Sequence, residues 1–228
     1  MTPEIDNVGV AILKGAYNPE AKDFMVDLSQ FELRALLGDD VLKEVPFIKG
    51  VVALFKIPLA IRDQLFLRKV AGFFAACPRF TDTEKEAFVR EHLNDPQKSN
   101  KLGESLVLIL DRLDDLEKPQ MLAKMFAAFV QGKIGFDIFR RLAKAIDAGS
   151  IEDLREFAKI KAIPEGPSRT QDNQTRILHT NLVRTGLVGL PHYSGTVPIL
   201  GVAFVVNELG KTFQMCMNAS PTTPSLQN

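Results

Sequence analysis

The sequence predicts a mainly α protein, a multi-helix bundle followed by a small winged-helix-like α+β module. Between residues 65 and 163, apolar side chains recur at intervals of three and four, the spacing of amphipathic helices, between recognisable start and stop residues. After residue 173 the pattern changes to a helix, a short β-branched and aromatic run, and a second helix. With 46% hydrophobic and 25% charged residues, the chain can bury a core in one or two domains.

The N-terminal part of the chain begins with two short predicted helices, over residues 4–17 and 21–37. Gly38 follows the second helix, and glycine readily adopts the left-handed conformation that ends helices. These helices lead to the most apolar stretch of the sequence.

Residues 45–61 (VPFIKGVVALFKIPLAI) are almost wholly apolar, interrupted only by Lys49 and Lys56. On a helix, two lysines seven residues apart form a narrow polar stripe on a broad apolar surface. The stretch contains Pro58 and is shorter than the roughly 20 residues that a membrane-spanning helix needs. Two interpretations stay open: a core helix kinked at Pro58, or an interfacial helix that contacts a membrane or a partner.

If residues 45–61 form an interfacial helix, its apolar side chains would make the contact. The candidate contact residues are Phe47, Val51, Val52, Leu54 and Phe55. They are equally suited to a buried core.

The central helices are predicted from their capping residues. A helix over 65–76 is stopped by Pro78, and Thr81 with Glu84 has the capping-box pattern that starts a helix reaching residue 93. Asp95 and Pro96 start the next helix as N-cap and first helical residue. Its predicted inward side chains are Leu102, Leu106, Ile109, Leu110, Leu113 and Leu116. Further helices are predicted over 121–131, 136–148 and 151–163. The short connections indicate antiparallel neighbours in a bundle.

The predicted domain order is a helical bundle over residues 1–163, a linker over 164–173 and a C-terminal module over 174–217. The linker PEGPSRTQDN is rich in residues that break regular structure. In the module we expect a helix over 174–185, a strand over 201–206 and a helix over 208–217. Residues 218–228 are predicted to be a disordered tail.

The overall charge excludes a strong general attraction to nucleic acid or anionic membranes, since 28 basic residues balance 28 acidic ones. Cys77 and Cys216 lie far apart in apolar surroundings, which is typical of buried thiols in a reducing compartment. The acidic N-terminus lacks the features of an export signal. We therefore expect a cytoplasmic protein.

The acidic group Asp111, Asp114, Asp115 and Glu117 is the one candidate for a metal site, because hard cations prefer carboxylate oxygens. A solvated helix face balanced by Arg112 and Lys118 is the more common use of such a group. We predict no metal.

Other patterns of catalytic residues are incomplete. Gly210-Lys211-Thr212 resembles the end of a phosphate-binding loop, but Val205 stands where that loop needs a glycine. Cys77 could form a nucleophile pair with a distant histidine, yet its apolar flanks favour a packed thiol. The sequence thus predicts no catalytic residue and no cofactor, although spacing alone leaves an enzyme of unrecognised type open.

A winged helix commonly binds DNA, and the candidate DNA contacts are Arg176, Arg184 and Lys211. Specific DNA-binding proteins usually neutralise several phosphates, so this cluster is a weak electrostatic footprint. Contact with a protein is the favoured use of the module, and nucleic acid is the less favoured one.

Two C-terminal stretches carry a family resemblance: residues 181–188 (NLVRTGLV) and residues 205–216 (VVNELGKTFQMC). Together they resemble the ending of bacterial abortive-infection proteins of the Abi-alpha type. The middle of the chain, residues 104–147, resembles uncharacterised bacterial helical proteins instead. The C-terminal resemblance implies a bacterial protein of phage defence, cytoplasmic or membrane-associated, with no catalytic residues to carry over.

The expected function is a non-enzymatic interaction protein, a phage-defence effector or sensor that acts through a protein partner or peripheral contact with the inner membrane. The alternative is a winged-helix DNA-binding regulator.

Overall fold

The computed structural model describes residues 3–16, 61–160, 168–169, 178, 180–189 and 203–219. In these ranges the chain is mainly helical with a small α+β module, which confirms the predicted fold class. The described residues divide into two compact units, one ending at Ile134 and one beginning at Gly135.

The first unit is a set of helices. They are α1 (Pro3–Ala16), α2 (Ile61–Ala76), α3 (Asp82–Phe88), a π-helical turn that continues α3 (Val89–Leu93), α4 (Pro96–Arg112) and α5 (Lys118–Val130). Helix α1 packs on α4, and α2 packs on α5.

The predicted start signals of α3 and α4 are confirmed. Thr81 Oγ1 accepts the backbone N–H of Glu84 at 3.3 Å, and Glu84 Oε2 accepts the N–H of Thr81 at 2.8 Å, which completes the capping box. Asp95 Oδ1 accepts the N–H of Gln97 at 2.9 Å and that of Lys98 at 3.4 Å. Side chains thus satisfy backbone donors that the first turn of each helix leaves open.

The core of the first unit contains the predicted apolar face of α4 and an aromatic group from α2, α3 and α5. Leu106 and Leu110 of α4 are completely buried. The Phe126 ring lies edge-on to both Phe73 and Phe88, with centroids 5.4 and 5.9 Å apart. Ile109 and Leu116, at the margins of the predicted face, are half-buried.

The second unit has helices α6 (Phe136–Ala148), α7 (Ile151–Lys159) and α8 (Glu208–Asn218), with strands β1 (Ser168–Arg169), β2 (Val188–Gly189) and β3 (Ala203–Val206). Residues 180–183 are helical, and the turn after them reaches Gly186, whose φ of 77° is the left-handed conformation expected there. Strand β3 lies between β1 and β2 and is antiparallel to both. Ser168 pairs with Phe204, and Val188 pairs with Val206.

Several element boundaries differ from the prediction. Helix α5 begins at Lys118 rather than 121, because Pro119 occupies its first turn, where a missing N–H costs nothing. Helix α7 ends at Lys159 rather than 163, because Ile160 is extended. Ser168–Arg169, placed in the predicted linker, form β1 instead because they pair with β3.

The division between the two units lies at residue 134, ahead of the predicted linker at 164–173. Helices α6 and α7 belong to the C-terminal unit because α8 packs against both of them. Two side-chain amides of α8 strengthen this packing. Gln214 Nε2 donates to the Phe157 carbonyl at 2.8 Å, and Asn218 Nδ2 donates to the Ala158 carbonyl at 3.0 Å.

Several predicted features lie outside the described residues. They are the helix over 21–37, residues 45–60 of the apolar stretch, most of the linker over 164–173, the first half of the helix over 174–185, and the tail from residue 220.

Candidate functional site

The acidic group after α4 forms the turn that leads into α5. Helix α4 ends at Arg112, and α5 begins at Lys118. Within the turn, Asp115 Oδ1 accepts the backbone N–H of Glu117 at 2.6 Å. An aspartate that binds a backbone donor two residues later stabilises a turn of this kind. One of the four candidate carboxylates therefore has a local structural role.

A second carboxylate of this group neutralises a buried lysine. Lys118 Nζ lies 2.6 Å from Asp114 Oδ1, and 2% of the lysine side chain is exposed against 75% of the aspartate side chain. Lysine is almost never buried without a partner, because removing its charge from water is expensive. The hydrogen bond from Lys118 lowers the pKa of Asp114, and burial opposes that shift. Asp114 is thus held in the charged form that Lys118 needs.

A second lysine binds the same turn from α2. Lys69 Nζ donates to the backbone carbonyl of Asp111 at 2.7 Å, at the end of α4, where a cation also interacts favourably with the helix dipole. Among the described residues, no group of three His, Cys, Asp or Glu side chains is arranged to hold a metal ion. Residues 111–118 form a charged junction that joins α2, α4 and α5.

His92 lies in the π-helical turn and packs against aromatic rings. Its ring centroid is 5.2 Å from that of Phe88 and 4.7 Å from that of Phe129. Burial lowers the pKa of His92; Glu91, whose Oε1 lies 3.6 Å from Nε2, raises it, and Lys98 lowers it. A neutral imidazole packs against aromatic rings without the desolvation cost of a charge. The half-buried His92 ring therefore packs against two phenylalanine rings of the core.

Cys77 is completely buried directly after α2. Its backbone N–H donates to the carbonyls of Phe73 and Phe74, which ends the helix. Burial in apolar surroundings disfavours the thiolate that nucleophilic catalysis requires. This environment fits the packed-thiol interpretation of the residue.

Gly210 has a packing role in the Gly210-Lys211-Thr212 sequence. A Cβ at Gly210 would collide with the Leu187 carbonyl oxygen and would lie 2.7 Å from Val206 Cγ1. Glycine thus lets α8 approach β2 and β3 closely. The hydroxyl of Thr212 donates to the Glu208 carbonyl at 2.7 Å. These contacts account for the glycine and the threonine without a phosphate.

Two of the candidate DNA contacts are described, and both lie near the start of α8. Arg184 is exposed in the turn after residues 180–183. Asn207, the N-cap of α8, donates from Nδ2 to the carbonyl of Gly186 in that turn at 2.7 Å. Lys211 lies one turn into α8 and forms an ion pair with Glu208 at 2.8 Å. The third candidate, Arg176, lies outside the described residues.

The candidate membrane or partner contacts also lie outside the described residues: Phe47, Val51, Val52, Leu54 and Phe55. Within the described ranges, no helix is long and apolar enough to cross a membrane. The large apolar side chains exposed in these ranges are on three different helices: Leu65, Leu108 and Met215.

Two buried polar arrangements could not be predicted from the sequence. Lys118 was expected to balance the acidic group, and its position four residues after Asp114 does indicate an ion pair, but its burial has no local signal. Gln214 is the second of these buried polar residues. Its amide contacts carbonyls 57 and 54 residues earlier in the chain, and no sequence pattern indicates such a distant partner.

Comparison of the chain with known protein families, curated proteins and solved structures found no match. The grounds for a function are therefore the chemical properties of this chain's own residues.

Proposed function

We propose that this chain is a non-enzymatic interaction protein that acts by contact with a membrane surface or a protein partner. The observation that carries the proposal is that four candidate reactive side chains in the described ranges have structural roles. Asp114 and Lys118 neutralise each other, Cys77 is buried, and His92 packs between phenylalanine rings. Groups held in this way are poorly placed to exchange protons with a substrate or attack it.

The proposed contact element is the apolar stretch of residues 45–61. Its last residue, Ile61, is the first residue of α2, so the stretch continues directly into a helix of the first unit. Helix α2 is held by the fully buried side chains of Phe73 and Phe74.

The phage-defence role rests on the C-terminal resemblance. The two stretches that carry it, residues 181–188 and 205–216, pack together: Val188 pairs with Val206, and Leu182, Leu187 and Phe213 are completely buried. This packing supports their treatment as one module. We accordingly propose a bacterial effector or sensor of abortive infection, cytoplasmic and peripheral to the inner membrane.

Liposome co-sedimentation tests the membrane contact. The double variant Val52→Glu/Leu54→Glu should abolish sedimentation, because two carboxylates cannot enter the apolar interface without a large desolvation cost. Leu108→Glu/Met215→Glu is the matched control, since it adds the same charges at exposed apolar positions of the described helices. Wild-type protein that stays in the supernatant would contradict membrane contact and leave a protein partner as the target.

A winged-helix DNA-binding regulator is the second candidate. A helix followed by the antiparallel β2–β3 pair supports it, because that arrangement presents a helix and a wing to DNA. Two carboxylates weaken it: Glu208 pairs with Lys211, and Asp153 Oδ2 accepts the Asn181 amide at 3.0 Å. This candidate requires DNA binding at low salt that Arg176→Ala/Arg184→Ala abolishes.

A further inference from the structure

We draw no further inference here: the strongest candidate, the exposed basic face of α6 formed by Arg140, Arg141 and Lys144, carries none because Asp137 and Asp147 lie at its two ends and nothing in the structure shows which partner covers it.

Discussion

Gly9 of α1 and Gly103 of α4 meet backbone to backbone where the two helices cross. A Cβ built on Gly103 would lie 2.6 Å from the Gly9 carbonyl carbon and 2.8 Å from the Val10 nitrogen. Real Cβ atoms essentially never come so close to other atoms, so both positions require glycine. The crossing explains how α1, which is distant in sequence, packs closely on α4.

Gly103→Ala should destabilise the first unit by roughly 1–3 kcal/mol, because the added methyl must push α1 and α4 apart. Gly72→Ala is the matched control. Its Cβ would meet its nearest atom, the Leu116 carbonyl oxygen, at 3.6 Å, and alanine favours the helix by about 1 kcal/mol. Thermal unfolding followed by circular dichroism should show opposite shifts for the two variants. Similar shifts would contradict the close crossing.

Leu106 and Leu108 test the orientation of α4. Leu106 is fully buried and Leu108 is 60% exposed. Leu106→Ala should cost about 2–5 kcal/mol of unfolding free energy through lost burial and a cavity. Leu108→Ala should change it by less than about 0.5 kcal/mol. Urea denaturation measures both values, and equal losses would show that α4 is rotated from the described orientation.

The Asp114–Lys118 pair should be more costly to break than to remove. Asp114→Ala takes away the carboxylate that the buried Lys118 ammonium binds, at a cost of roughly 1–3 kcal/mol. Asp114→Ala/Lys118→Met should recover part of that loss, because no charge then remains buried. Asp115→Asn keeps its acceptor oxygen and serves as the control in the same turn. The measurement is urea denaturation. A double variant that is less stable than Asp114→Ala would contradict the prediction.

The same pair should make stability fall in acid. The pKa of Asp114 is lowered in the folded chain from its usual 3.8, so the folded state binds fewer protons there than the unfolded state does. The contribution of Asp114 to the free energy of unfolding is present above pH 3.8 and is lost as the pH falls below that value. The free energy of unfolding, measured by urea denaturation from pH 6 to pH 3, should decline less in Asp114→Ala than in the wild type.

His92 should add a separate pH dependence at higher pH. Burial lowers its pKa below 6.5, so the unfolded chain binds a proton there more readily than the folded chain. Stability should decrease as the pH falls from 7 through 6.5. His92→Gln cannot titrate, so its stability relative to the wild type should improve in that range, as denaturation midpoints would show. A constant difference between pH 5 and 8 would contradict the lowered pKa of His92.

Much of the helical architecture was predictable because its signals are local. The capping box at Thr81, the Asp95 cap and the apolar face containing Leu106 are each specified within one or two helical turns. The confirmed starts of α3 and α4 follow from these residues. Predicted element boundaries were wrong where a tertiary contact overruled the local pattern. Strand β1 is an example, because it pairs with a strand more than 30 residues away.

The candidate site shows the same contrast. The acidic group and the balancing role of Lys118 were predictable from the sequence. Opposite charges four residues apart, as in Asp114 and Lys118, can form an ion pair. Nothing in the sequence indicated that Lys118 is buried or that Lys69 binds the Asp111 carbonyl from another helix. Burial depends on what packs over a residue, and that is decided by helices distant in sequence.

By itself, then, the sequence determined where most of the described helices start and stop, because caps, prolines and apolar spacing act over a few residues. Only the tertiary structure decided which helices pack together. The Gly9–Gly103 crossing and the contact of α8 with α7 each join segments that are far apart in the chain. The division at residue 134 in turn depends on which helices pack together. Such contacts form only when the whole core assembles, since their free energy comes from complementary surfaces and not from any one segment.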